Sequence, residues 1–210
     1  IFVISALIGI INNGLESRLE SIRKGRSVVL EKDHTIILGW SEQIFTVIAE
    51  LLAANESRGR SCIVVMGRKE KPEMEDEIRA QFPSTGRTRI VCRQGEPADL
   101  NDIDIANPDA SRAIIILSPD DSDAPDAEVV KTLLAITNNP DRKKEKYNIV
   151  AQIRDPKNLD IARIVGKDEA EIVLIGDIIS RIMAQTCRQT GLSIVYNELL
   201  DFDGDEIYMK

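Results

Sequence analysis

Aromatic side chains are scarce in this 210-residue sequence, at 4%, and histidine occurs once, as His34. So few rings argue against the stacking platforms that hold single-stranded nucleic acid. A formal net charge of -8 opposes a phosphate backbone as well. A single histidine excludes most imidazole-based metal chemistry, and the cysteines do not have zinc-ligand spacing. Those cysteines, Cys62, Cys92 and Cys187, are odd in number and fall inside predicted strands and a helix. They read as reduced thiols of a cytosolic setting, not as a disulfide framework. No nucleophile with an adjacent base is visible, so no catalytic set is expected. The uncharged run over 1–11 falls short of the roughly 20 apolar residues that a complete membrane span requires.

Glycine is also missing where it would matter most. Thr35-Ile36-Ile37-Leu38 reads as a buried strand, and Gly39 ends it with a tight turn. Ile44, Val47, Ile48, Leu51 and Leu52 then recur at helical spacing. Strand, glycine turn and helix open a Rossmann unit, whose helix N-terminus offers free N–H groups and a positive dipole end to an anion. A dinucleotide fingerprint needs three glycines there. Only Gly39 is present; Ser41 and Ile44 stand at the other two places. The sequence therefore predicts the fold without its usual ligand, and NAD is expected to bind weakly or not at all.

What is present is a regular alternation. Strands are predicted over 62–66, 88–92, 113–117, 148–153 and 172–175. Helices are predicted over 72–81, 97–105, 124–137, 156–165, 177–189 and 192–200. Pro72 suits a first helical turn, Asn107-Pro108 and Asn138-Asn139-Pro140 act as stops, and Gly191 breaks the last pair of helices. Six strands with intervening helices imply an α/β, Rossmann-like, doubly wound six-stranded parallel sheet.

The ends carry a different signal. The run over 1–11 is followed on one side only by Arg18, Arg23, Lys24 and Arg26, the pattern of a cytoplasmic exit from a membrane. Residues 1–13 are expected to be the end of a membrane helix and 14–33 a linker, with an amphipathic stretch at Leu15, Leu19 and Ile22. The Rossmann-like part is expected over 34–200, and 201–210 reads as the start of a further lobe.

Several stretches together resemble one family. They are Ile36-Ile37-Leu38-Gly39-Trp40-Ser41, Val91-Cys92-Arg93-Gln94-Gly95, the segment 113–123, Asp177-Ile178-Ile179-Ser180-Arg181, and Gly191-Leu192 running to Leu199-Leu200-Asp201-Phe202. Their order and spacing resemble a bacterial relative of the Castor and Pollux ion channels. The cytosolic part of those channels is similar to RCK domains, cousins of the soluble TrkA/KTN subunits. The resemblance implies a tetrameric cation channel in the membrane, with the first segment as the end of its pore-lining helix. It also implies a cytoplasmic regulatory lobe that gates conductance within a ring of copies.

Three candidate sites follow. In nucleotide-binding relatives a phosphate rests on the first turn and an acid after strand two takes the ribose, which points to Gly39, Ser41, Arg68 and Glu70; Arg68 suits a phosphate better than a diol. The acids Asp120, Asp121, Asp123, Asp126 and Glu128 crowd the carboxyl end of strand four, with Asp203 and Asp205 in the tail as further oxygen donors. Calcium accepts several such oxygens and is the expected cation, although acids in a first turn also serve as helix caps. The calcium site known in one RCK branch does not transfer, because Gln152 and Arg154 stand at its matching positions. Finally, Ile178, Ile179, Ile182, Met183 and Thr186, with the 192–200 helix, carry apolar surface that the family uses across subunits. The rival reading is an NAD-dependent oxidoreductase or an NAD-sensing Rossmann protein, which requires a substrate domain with a catalytic acid or base.

Overall fold

A computed structural model describes residues 25–202. Six parallel strands lie in the order β3-β2-β1-β4-β5-β6. They are β1 (His34–Leu38), β2 (Ser61–Gly67), β3 (Thr88–Gln94), β4 (Ser111–Ile116), β5 (Ile149–Ile153) and β6 (Ala170–Leu174). The helices are α1 (Ile44–Asn55), α2 (Lys71–Gln81), α3 (Leu100–Ile105), α4 (Pro125–Thr137), α5 (Leu159–Gly166), α6 (Ile175–Arg188) and α7 (Leu192–Leu200). The expected doubly wound sheet is therefore present. The small differences lie at helix starts. Residues 97 and 98 form a turn, and α3 starts only at Leu100, where the Asp99 side chain caps it by accepting from the N–H groups of Asn101 and Asp102. Pro156–Asn158 forms a separate 3-10 turn before α5.

Side-chain alternation sorts the core into two layers. Ile36, Leu38, Val64 and Met66 point to one face, under Ile103 of α3, Val129 and Leu133 of α4 and Ala162 of α5. Ile37, Ile63 and Val65 point to the other, under Ile44 and Ile48 of α1 and Met74 and Ile78 of α2. The central strands are covered on both sides, which explains their unbroken aliphatic runs.

The segment before β1 is strapped to the sheet. Its Val29 N–H donates to the Ile105 carbonyl at 2.8 Å, and Asn107 Nδ2 donates to the Val29 carbonyl at 3.0 Å. Arg93 Nε donates to Ser27 O at 2.7 Å, and Arg89 pairs with Glu31 at 2.5 Å. Gly25, at φ +69°, lies so close to Lys71 that a Cβ there would sit 2.8 Å from its Cδ. Residues 1–24 and 203–210, with the expected membrane helix, most of the linker, Asp203 and Asp205, lie outside the described residues. Among the described residues no helix is long and apolar enough to cross a membrane.

Candidate functional site

Chain order reverses between β1 and β4, and in open α/β sheets the crevice at the carboxyl ends of such strands collects ligands. A cleft of about 640 Å³ lies there. Its floor is set by Gly39. The residue takes φ +95°, and a Cβ would stand 2.6 Å from the Leu117 carbonyl oxygen. The turn is stitched to both neighbours: Gly39 N–H donates to Met66 O at 2.9 Å, and Leu117 N–H to Leu38 O at 2.8 Å. Only glycine meets both demands. Ser41 and Ile44, in place of the other fingerprint glycines, are buried. The Ser41 hydroxyl has no hydrogen-bond partner among the described residues.

The seat that a phosphate takes in a Rossmann turn holds a carboxylate of the chain itself. Asp120 Oδ2 accepts the Glu42 N–H at 2.9 Å, just ahead of α1. Asp120 Oδ1 pairs with the Arg154 guanidinium at 2.5 Å. The same guanidinium donates to the carbonyls of Ser118 at 2.8 Å and Pro119 at 3.2 Å. Gln152 Oε1 accepts the Ser118 N–H at 3.2 Å, so both of the residues that depart from the known calcium pattern are used to brace the loop after β4.

Arg68 is equally committed. Its guanidinium grips Glu96 through two hydrogen bonds, at 2.5 and 3.0 Å, and reaches Glu128 at 2.9 Å. The hydrogen bonds it donates to Glu96 raise the Arg68 pKa against the effect of burial. Burial works against the Glu128 charge, but the Ser122 hydroxyl at 2.6 Å and Arg68 outweigh it and hold that carboxyl below its ordinary range. Lys69 lies over the Trp40 ring, 5.2 Å from its centroid, and pairs with Glu77. Trp40 meets Phe45 edge to face at 6.0 Å. Gly39, Ser41 and Arg68 thus line one cleft, as the sequence suggests. Glu70 does not: it is exposed just ahead of α2 and lies outside the lining. Lys69, Glu77 and Glu96 were missed. The rule that ligands gather where strands end would have flagged Glu96, which stands one residue past Gly95 at the end of β3.

The acids proposed for calcium are dispersed. Asp120 serves Glu42 and Arg154, and Glu128 serves Ser122 and Arg68. Asp126 is buried at the first turn of α4. Its carboxylate accepts the N–H groups of Arg154 and Asp155, each at 2.9 Å, and Asn158 Nδ2 at 2.8 Å. Asp121 and Asp123 are exposed. Among the described residues no three acids, histidines or cysteines group closely enough to hold a metal ion. Among the described residues the crowding of Asp120, Asp126 and Glu128 in sequence is relieved by nearby cations and N–H groups; Asp203 and Asp205 lie outside the described residues.

The last two helices keep the apolar character expected of them and leave it uncovered. Neither α6 nor α7 has a buried residue, and Met183 and Ile194 are 66% and 71% exposed. The chain then returns toward α1, where Phe202 N–H donates to Glu50 Oε2 at 3.2 Å.

The site is thus a nucleotide-type fold with its turn self-occupied, beside a strapped N-terminal segment and a bare helical pair. Residues 30–178 match the family model described as the calcium-activated potassium channel slowpoke-like RCK domain. Residues 176–210 match the model described as Castor and Pollux, part of voltage-gated ion channel. The chain is 35% identical over 210 residues to the probable ion channel CASTOR of Oryza sativa subsp. japonica, covering 99% of this chain and 23% of that protein. It is 34% identical to the ion channel CASTOR of Lotus japonicus, covering 99% of this chain and 24% of that one. The human SLO3 gating ring has the same fold, at TM-score 0.54 and 17% identity, over 84% of this chain and 31% of that one. The chain is thus an RCK domain of the kind found in ion channels. It belongs to the Castor/Pollux ion channel family and spans about a quarter of the length of the curated relatives it matches.

Proposed function

We propose that this chain is the cytoplasmic gating domain of a tetrameric cation channel, joined to the membrane through the residues ahead of Gly25. One observation carries the reading: a single loop touches both the cleft and the strap. Arg68 and Lys69, after β2, line the cleft, and Lys71, two residues on, presses against Gly25. An effector that competes for the Arg68–Glu96–Glu128 cluster therefore acts on the same loop that holds the incoming chain. A ligand shifts gating only by its different affinity for the two arrangements. The uncovered faces of α6 and α7 supply the contact surface between copies, since exposed apolar area of this kind marks association.

The cleft as it stands disfavours NAD, whose pyrophosphate would have to displace Asp120. The relatives are ion channels, and no acid–base pair in the cleft favours the oxidoreductase alternative. The test is single-channel recording of the full-length protein in planar bilayers, with Ca2+, NAD and ATP each applied on the domain's side. Arg68→Ala and Glu96→Gln should change open probability and its response to whichever probe is active. Unchanged open probability in both variants, under every probe, would remove the cleft from gating.

A further inference from the structure

The cleft at the carboxyl ends of the strands is acidic. Six carboxylates line it, from Glu42, Glu77, Glu96, Asp120, Asp121 and Glu128, against two cations, Arg68 and Lys69. A concave surface of one sign focuses its field and concentrates ions of the other. The acids come from separate loops: Glu96 follows β3, Glu42 follows β1, and Asp120 and Asp121 follow β4. Neighbouring strands lie roughly 4.8 Å apart, so the loops after β3 and β4, with β2 and β1 between them, stand roughly 14 Å apart. Negative charge is thus drawn out across the cleft. Among the described residues no three acids close on one point to hold a metal ion.

The chain's own side chains show how this cleft receives a cation. Lys69 Nζ lies over the Trp40 ring and pairs with Glu77. Arg68 is shared between Glu96 and Glu128, and Arg154, from outside the lining, holds Asp120. Glu42 and Asp121 are exposed, and their carboxylates make no hydrogen bond or ion pair among the described residues. The start of α1 favours an acid such as Glu42, but it contributes only roughly half a positive charge and leaves most of the excess unanswered. Trp40, Phe45, Leu117, Pro97 and Pro119 add apolar wall. Methylene stems lie on such surface while their charged heads stay in water, as in lysine and arginine. Ser41, 2% exposed, also lines the cleft, and its hydroxyl has no partner among the described residues, which leaves it to accept an N–H.

We propose that the cleft takes a linear aliphatic polyamine, with ammonium groups at the Glu42–Asp121 side and the Glu96–Glu128 side and its methylene chain along Trp40. Separated charges on a flexible chain match carboxylates drawn out in a line, whereas a hard dication needs several oxygens converging on it. The inference names the ligand class of the cleft read above as the effector site, and rests on that reading for any effect on gating.

Trp40 is the single tryptophan, so its fluorescence reports the cleft. The 210-residue chain is titrated with spermidine in about 100 mM salt, which screens diffuse attraction to its surface charge. A saturable change in Trp40 emission is expected, and magnesium at the same concentrations should not reproduce it. Glu42→Gln/Asp121→Asn removes two exposed charges and should weaken spermidine binding about fivefold; thermal unfolding checks that it folds. Asp141→Asn/Glu145→Gln, the same charge change in the loop before β5, should bind as the wild type does. No saturable change, equal weakening in both variants, or a magnesium titration equal to that of spermidine would overturn the proposal. Single-channel recording of the full-length protein, with spermidine on the domain's side, separates the ligand from the reading it rests on. Wild type is compared there with Glu42→Gln/Asp121→Asn, since direct block of the pore is common to both. Binding by the wild type with no difference in open probability would uphold the ligand and count against the cleft in gating. Altered gating in Arg68→Ala without spermidine binding to the chain would keep that reading and overturn this ligand.

Discussion

Replacing Asp126 separates a structural clamp from a calcium ligand. The buried carboxylate accepts three hydrogen bonds, from Arg154 N, Asp155 N and Asn158 Nδ2. It ties the first turn of α4 to the loop between β5 and α5. In Asp126→Ala those donors lose their acceptor. An unsatisfied buried donor costs roughly 1–3 kcal/mol, and water entering the vacated space recovers part of it, so about 3 kcal/mol is expected overall. For a protein of this size that is a fall in melting temperature of roughly 6–12 °C. Asp126→Asn keeps the shape but turns an NH2 toward an N–H donor, and should cost about 2 kcal/mol. Urea unfolding of the whole chain, with EDTA and again with calcium, measures both. The clamp requires the full loss in EDTA and the same loss in calcium. Equal stability of wild type and Asp126→Ala in EDTA, with calcium raising only the wild type, would refute the reasoning and restore Asp126 as a ligand.

Three further outcomes are expected. Asp120→Ala should free the Glu42 N–H and the Arg154 guanidinium, so that pyrophosphate or ATP binds the variant measurably more tightly than the wild type in calorimetry; unchanged binding would show that Asp120 is not what closes the turn. Burial works against the Glu169 charge, but Arg142 and the Tyr147 N–H outweigh it and hold its pKa low. The resulting stability is full above the unfolded carboxyl value near ~4.3 and is lost as pH falls through the lower folded value, so Glu169→Gln should flatten the acid limb of an unfolding-versus-pH curve below about pH 4.3 and leave its slope near neutrality unchanged. Burial pushes the Cys92 thiol up to about 12 and the Cys62 thiol up to about 11, whereas Cys187 is exposed on α6. A maleimide should therefore label Cys187 first, Cys62 slowly and Cys92 only on unfolding, as read by mass spectrometry.

The elements were legible in the sequence because the local rules agreed. Aliphatic runs such as 36–38 and 63–66 mark strands buried on both faces, the spacing of Ile44 and Ile48 marks an amphipathic helix, and proline and asparagine mark the stops. Gly39 announced its turn, since φ +95° against the Leu117 carbonyl leaves room for no other residue. The apolar faces of α6 and α7 were legible from periodicity, but that they stay uncovered was expected only from the family resemblance.

Partnership was not legible. Five acids in nine residues suggested a cation, yet the charges of Asp120, Asp126 and Glu128 are met from elsewhere in the chain: Arg154 and Asn158 from the loop after β5, Arg68 from the loop after β2. Glu96 and Arg68 are 28 positions apart and meet only because β2 and β3 are neighbours. Asp120 reaches Glu42, 78 positions away, because chain order reverses between β1 and β4. Local sequence determines which backbone segments form, since propensity and periodicity act within a few residues. Which charge neutralises which is decided by strand order, and that exists only once the sheet has closed.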